Sequence, residues 1–394
     1  MNFSIDKELL MKCLKTVVHK NEPEVNINIK HYEQKKCDIE PGGAYLSGLI
    51  KVKVDYDCNG KSLTKSFIAK IPSLGINYKL GVDNGVYNKE KYIYEEILPQ
   101  VKNKMKLKLM PEHYETINSE ILILEDLNES GFVIKQNTWF NFEKCKRTLE
   151  ALAEFHAASY RVHQENPNFF LKNQQETIYI DVMVNQIVQA IFTDFMRILE
   201  TEENVSDLIN KLQNFKNKIT PTSILNTCNQ KEPWFKVLNH GDLNYNNILF
   251  KYNEKNETID VKFVDFQGCR WNSPVLDIIY FLTICAETEL LKNNFEELID
   301  SYLLKLNETL QNLNCQVTYT KTQFNQDLES MNLFRIIVLF WCSYFTLNKV
   351  ANNFQCDKMG TITSEMLHTI RNNKRYQKYL ALYKHYNNIG VFDQ

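Results

Sequence analysis

The chain has no C-x-x-C pair; its ten cysteines stand singly. That excludes a thiolate zinc ribbon or a paired redox motif and points to reduced thiols. It has no surplus of charge: 46 Lys and Arg against 48 Asp and Glu leave a net charge of -2, too little for general nucleic-acid affinity. It has no uninterrupted apolar run long enough for a bilayer. The nearest candidate, Leu333 to Val350, is broken by Arg335, Ser343, Asn348 and Lys349 and reads as a buried helix, so no membrane span is expected. Residues Met1 to Lys7 lack the apolar core of a secretory leader, so a cytoplasmic location is expected, with the sequons at Asn128 and Asn307 unused. Low-complexity linkers and internal repeats are also missing. At 394 residues and 44% hydrophobic, the chain can hold one large two-lobed domain or two ordinary ones with a sizeable core. Nothing in it indicates an oligomeric state.

What is present is concentrated in His240-Gly241-Asp242-Leu243-Asn244-Tyr245-Asn246-Asn247, followed by Asp265-Phe266-Gln267. An acid five residues before an Asn, with a second acid on the next apolar strand, is the spacing a phosphotransferase needs. Asp242 would orient and deprotonate a hydroxyl. Asn247 and Asp265 would hold the Mg²⁺ that bridges the ATP phosphates. Short apolar runs at Val237-Leu238, Ile248 to Phe250 and Ile259 to Val264, with a polar turn at Asn253 to Asn256, predict strand, loop, strand, turn, strand, acid.

The first third alternates strand signals with turns. Strands are expected over Val25 to Tyr32, Leu49 to Val54, Ser66 to Ile71 and Ile121 to Leu124, with a hairpin at Asn59-Gly60. Val86 to Leu98 reads as a helix ended by Pro99. Beyond Glu125-Asp126-Leu127 helices dominate, at Trp139 to Tyr160, Tyr179 to Leu199, Glu289 to Leu310 and the Leu333 segment. A β-rich small lobe before a helical large lobe predicts an α+β, protein-kinase-like fold, with lobes at 1–127 and 128–394. The Gly42-Gly43 to Ser47 turn lets backbone N–H groups approach phosphates. Lys70, between apolar neighbours on a strand, could pair with those phosphates. Its holding acid is Glu90, Glu95 or Glu96; periodicity does not choose among them.

These residues resemble the ecdysteroid kinase-like (CHK kinase-like) family, related to choline kinases and aminoglycoside phosphotransferases. Gly42 to Ser47 resembles the family's Gly-x-Asn-aromatic-x-Ser nucleotide loop. Tyr87, Glu90, Tyr94, Leu98 and Pro99 resemble its small-lobe helix, which favours Glu90 as the partner of Lys70. Leu124-Glu125-Asp126-Leu127 looks like its hinge, giving Glu125 and Leu127 to the nucleotide site. Leu152 to Ser159 is similar to its large-lobe helix, and the loop from His240 to Asn247, Asp265-Phe266-Gln267 and Asp277-x-x-Tyr280-Phe281-Leu282 match in order. His240 and Asp277 are expected to support the catalytic loop, and His156 to hydrogen-bond in the core. Two positions depart from the pattern. Gly43-Ala44 stands where the family tends to an acid–Asn pair, and Asn244 replaces a frequent Trp.

The resemblance implies an ATP- and Mg²⁺-dependent small-molecule kinase. Its alcohol acceptor would be lipophilic, such as an ecdysteroid or a hydroxylated xenobiotic, with hormone inactivation or detoxification as the role. The aromatics Phe334, Phe340, Trp341, Tyr344 and Phe345 could line its pocket. A choline- or aminoglycoside-type kinase for a polar acceptor, and a non-catalytic binding protein on the same fold, are the alternatives. A protein kinase is not: no Ala-Pro-Glu segment follows Asp265, and Asp277 comes too soon for a peptide-docking loop.

Overall fold

The computed structural model describes residues 8, 11, 12, 14, 15, 27–37, 47–72, 76–105, 108–114, 121–134, 139–171, 177, 181–216, 218–228, 232–353 and 364–393. The chain packs as two compact units. One comprises Met1–Gln136 with Asn246–Gln267, and the other Asn137–Tyr245 with Gly268–Gln394. Compared with a division at residue 127, the first unit runs further and also takes in the strands around Asp265.

In the first unit, β1 (Ile27–Lys36), β2 (Ser47–Cys58), β3 (Lys61–Pro72), β4 (His113–Tyr114) and β5 (Leu122–Glu125) form an antiparallel sheet in the order β1-β2-β3-β5-β4. The β2–β3 hairpin turns at Asn59-Gly60, both at positive φ (47° and 79°), the conformation that Asn-Gly pairs adopt in two-residue hairpins. Alternation then buries one face: Val52, Val54, Phe67 and Ala69 pack with Ile27, Ile29 and Ile123. A second sheet, β6 (Phe132–Ile134), β8 (Ile248–Tyr252) and β9 (Thr258–Phe263), is also antiparallel. Its β8–β9 turn is closed by the Asn253 N–H to the Glu257 carbonyl at 3.1 Å.

Pro99 does not end the helix that begins at Val86. Val86–Tyr92 widens into a π turn at Ile93–Ile97 and continues as Leu98–Met105. Proline lacks an N–H and its ring crowds the carbonyl four residues back. The wider turn absorbs this, because the Leu98 N–H already reaches five residues back to Ile93.

The second unit is mostly helical. Its principal helices are Phe142–Glu165, Val275–Cys285, Phe295–Asn312, Asn332–Asn353 and Lys374–Asn388. The expected helix over Glu289 to Leu310 is two, Thr288–Asn293 and Phe295–Asn312. Asn294 breaks the run with non-helical angles (φ -126°, ψ 10°), as Asn favours caps over helix interiors. Val275–Cys285 is buried at every position, so it reads as apolar all round apart from Asp277 and Thr283. A short ladder, β7 (Val237–Asn239) with β10 (Arg270–Asn272), carries the chain into the His240 loop. Among the described residues no single helix is long and apolar enough to cross a membrane. One bent pair, Lys321–Ser330 and Asn332–Leu347, passes by length and composition alone. Cys37, Cys58, Cys145, Cys269, Cys285, Cys315 and Cys342 are free thiols.

Together, the sheet with its lysine and the following helix, then a helical unit bearing the His240 loop, give the order of parts of the α+β protein-kinase-like fold.

Candidate active site

In the first unit, β3 is a central strand, so Lys70 faces neither an edge nor open solvent. It pairs in register with Leu49 of β2 and Leu122 of β5 and is 8% exposed. Its ammonium lies 2.7 Å from Glu90 and 2.7 Å from Asp265. Glu90 is thus the acid that holds it. Glu95 pairs with Lys91 instead, at 3.5 Å, and Glu96 is exposed. Ser47, Lys70, Tyr87, Glu90 and Leu122 line one small cleft. Gly42 and Gly43 lie outside the described residues.

Two carboxylates share this one ammonium. Burial opposes the lysine's charge, but Asp265 and Glu90 outweigh it and hold Lys70 protonated well above its ordinary range. Glu90 bears the cost: burial, with the negative charge of Asp265 added, pushes its carboxyl up to about 7 against the pull of Lys70. The folded protein therefore binds the Glu90 proton more tightly than the unfolded chain. That contribution to stability is fully present below pH 4.5, the group's ordinary value, and is lost as pH rises through about 7. In metal-free protein, the stability of the parent relative to Glu90→Gln should fall by roughly 1–3 kcal/mol between pH 5 and pH 8. Urea unfolding at the two pH values measures it; parallel changes in parent and variant would refute it.

The β8–β9 hairpin brings Asn247 and Asp265 to one end. Ile248 pairs with Phe263, and the Val264 N–H donates to the Asn247 carbonyl at 3.0 Å. Asp265 follows with φ 69°, a left-handed conformation that Asp tolerates better than most residues but that costs on the order of 1 kcal/mol. Its ring neighbour Phe266 sits edge-on to Tyr94, at 5.7 Å, which anchors the turn to the Glu90 helix. One carboxylate and one amide oxygen are hard donors of the kind Mg²⁺ takes alongside phosphate oxygens. The donor set therefore fits that ion, although no cluster of three or more His, Cys, Asp or Glu occurs among the described residues.

At the expected hinge, the Glu125 carboxylate accepts from the Glu112 N–H at 3.2 Å and from Ser130 Oγ at 3.2 Å, and pairs with Lys262 at 3.7 Å. Leu127 packs with Phe132, Leu249 and Val264. Between them Asp126, to which sequence reasoning assigned no role, is fully buried. It takes Lys51 at 2.7 Å, Ser66 Oγ at 2.8 Å and the Asn128 N–H at 3.1 Å. Burial would raise its carboxyl, but these partners, Lys51 foremost, hold it below the usual range. An acid pair, Glu125-Asp126, between the apolar run Ile121 to Leu124 and Leu127 was the available signal.

In the second unit, the His240 loop is built around Asp277. This carboxylate, near the start of the buried Val275–Cys285 helix, accepts the His240 N–H at 2.6 Å and the Gly241 N–H at 2.8 Å. It also meets His156 Nε2 at 3.2 Å, while His156 Nδ1 meets the Tyr302 hydroxyl at 2.8 Å. Burial would raise the Asp277 carboxyl, but the His156 ring and these loop contacts hold it below the usual range. His240 Nδ1 in turn accepts the Asp242 N–H at 3.3 Å. Gly241 has φ 82°, and a Cβ there would lie 1.9 Å from the Gly268 carbonyl oxygen, so only glycine fits. Ser159, one helical turn after His156, takes the Leu238 N–H at 3.0 Å and secures β7. Asp242 itself is half-buried, and its Oδ1 accepts the Tyr280 hydroxyl at 2.7 Å and Asn244 Nδ2 at 2.9 Å. Sequence reasoning gave neither residue a role at Asp242.

Comparison with known proteins supplies three kinds of result. No curated protein sequence matches the chain. Among solved structures, an ethanolamine kinase of Plasmodium vivax aligns with TM-score 0.41 and 14% identity, over 97% of this chain and 89% of that one. The gentamicin complex of APH(2″)-IIa aligns with TM-score 0.40 and 13% identity, over 96% and 97% of the two chains. ADP-bound aminoglycoside phosphotransferase APH(2″)-Ib aligns with TM-score 0.37 and 13% identity, over 98% and 99%. A family model matches residues 41–315, well over half of the sequence and spanning Lys70, Glu90, the His240 loop, Asp265 and Asp277; the chain belongs to the ecdysteroid kinase-like family.

Proposed function

We propose that this small-molecule kinase transfers the γ-phosphoryl group of ATP to a hydroxyl of a lipophilic acceptor, such as an ecdysteroid or a hydroxylated xenobiotic. The observation that carries the phosphotransfer reading is Lys70, held by Glu90 and Asp265 at 2.7 Å each. A buried ammonium oriented by two acids is built to meet polyanionic phosphates. In this reading Lys70 positions the phosphates, and Asn247 and Asp265 would hold Mg²⁺, which when bound neutralises phosphate charge. Ser47 approaches the phosphates, and Glu125 and Leu127 border the nucleotide. Asp242 orients the acceptor hydroxyl and takes its proton, while His240 and Asp277 keep the loop in place.

One observation in the second unit favours an uncharged acceptor over a small cation, and another offers an acceptor apolar surface. Of the aromatics on the Asn332–Asn353 helix, Phe334, Phe340 and Tyr344 are buried in the core. Trp341 and Phe345, four residues apart on one face, are half-buried with ring centroids at 5.2 Å and offer apolar surface. Burying a steroid-sized body contributes about 25 cal/mol per Å² removed from water. The Arg375 guanidinium stacks over Tyr245 of the catalytic loop, 5.1 Å from its centroid. A fixed positive charge there repels a cationic acceptor. The test is a side-by-side Mg·ATP phosphorylation assay with an ecdysteroid, a phenolic glycoside, choline and ethanolamine. Turnover of the lipophilic alcohols is the expected result. Efficient turnover of choline or ethanolamine alone would overturn the acceptor class and leave phosphotransfer standing.

A further inference from the structure

Asp277 and Tyr280 are three residues apart on the buried Val275–Cys285 helix, so they point from the same face. Asp277 grips the backbone of the His240 loop through two N–H groups. Tyr280, one turn on, reaches the side chain that this loop presents: its hydroxyl lies 2.7 Å from Asp242 Oδ1. The same oxygen accepts Asn244 Nδ2 at 2.9 Å, and the Asn244 N–H also closes on the Asp242 carbonyl at 2.9 Å. Tyr280 is 3% exposed, so its hydroxyl is held by packing rather than by solvent.

We propose that Tyr280 and Asn244 are positioning residues that clamp Asp242 Oδ1 and so fix the orientation of the proton-accepting carboxylate. This rests on the phosphotransfer reading above. Two donors on one carboxylate oxygen fix the rotation of the group and draw negative charge toward that oxygen. As the acceptor oxygen bonds to the γ-phosphorus, the bond from that phosphorus to the β,γ-bridging oxygen breaks and ADP leaves with the electron pair. The acceptor proton passes to the Asp242 carboxylate. Hydrogen bonds to the ionised form stabilise it, so the clamp makes Asp242 a weaker base that is ionised over a wider pH range. It therefore works by orientation more than by basicity.

The test is a titration of Asp242 in the full chain labelled at aspartate Cγ, its NMR signal assigned by its loss in Asp242→Asn. Tyr280→Phe and Asn244→Ala should each move the titration to higher pH by about half a unit to one unit, and the double variant by about their sum. Because this readout needs no acceptor, it holds whatever the substrate is. In the phosphorylation assay, the acid limb of kcat should move the same way in Tyr280→Phe, with KM for ATP unchanged. A merely structural contact would lower thermal stability and move neither. An Asp242 titration identical in parent and both single variants would overturn the clamp. Should Asp242→Asn keep full turnover while the titration shifts stand, the base assignment fails and the clamp survives.

Discussion

Asp242→Asn is expected to lower turnover by about 10²-fold or more while ATP binding persists. The substitution removes the charge and the proton-accepting oxygen and keeps the shape. The Tyr280 hydroxyl, now 2.7 Å from Asp242 Oδ1, can donate equally to an amide oxygen. Nor does the loop depend on the acid, since its backbone is held by Asp277 and by glycine at position 241. A folding defect is therefore not expected, and a drop in turnover reports on chemistry. The nucleotide-side residues Lys70, Glu90 and Asp265 make their own ion pairs and are untouched. Turnover would be followed by phosphoryl transfer to whichever alcohol the parent accepts, and ATP affinity by calorimetry. A variant that turns over at near the parent rate would remove Asp242 from the reaction.

The second large effect is at Asp265. Asp265→Ala should weaken Mg-dependent nucleotide binding by at least about 10²-fold, because phosphate charge then lacks its metal counterpart. Two local consequences need separating from that loss. Among the described residues Lys70 would keep only Glu90 as an ion-pair partner, and alanine at φ 69° adds backbone strain that Asp relieves better. Asp265→Asn removes the charge while tolerating the same backbone, so both variants should lose Mg·ATP affinity but only the alanine variant should lose stability beyond it. Titration of ATP with and without Mg²⁺ decides the matter. Unchanged affinity for Mg·ATP in the asparagine variant would take Asp265 out of the metal site.

Local signals in the chain were strong where the chemistry and the turn are contiguous. The Asn59-Gly60 hairpin, the β8–β9 turn at Asn253 to Asn256 and the His240 to Asn247 loop are legible because each depends on residues within a few positions. Alternation placed β2 and β3, though it undercounted both. The end Asp55-Tyr56-Asp57-Cys58 puts acids on either side of the buried Tyr56 and pairs with both β1 and β3, and the mostly polar Lys61 to Lys65 is strand because it pairs with β2 across the hairpin. Pro99 misled for a related reason. Proline's local rule is to stop a helix, and the π turn that lets this one continue is invisible to a propensity.

The choice among Glu90, Glu95 and Glu96 marks the boundary between the two kinds of information. All three sit on one helical stretch at distances that periodicity allows, and only the packing of that helix against β3 turns Glu90 toward Lys70. Asp126, Asn244 and Tyr280 fall on the far side of that boundary. Asn244 is no metal ligand, and Tyr280 reads as one more apolar residue of a buried helix, yet both end on Asp242 Oδ1. By itself the sequence determined the order of the motifs, the family resemblance and the α+β class, because these follow from residue type and short-range spacing. Only the tertiary structure decided which acid holds Lys70 and which donors hold Asp242. A hydrogen bond between residues 38 apart is set by how helix and loop pack, and no local pattern encodes that distance.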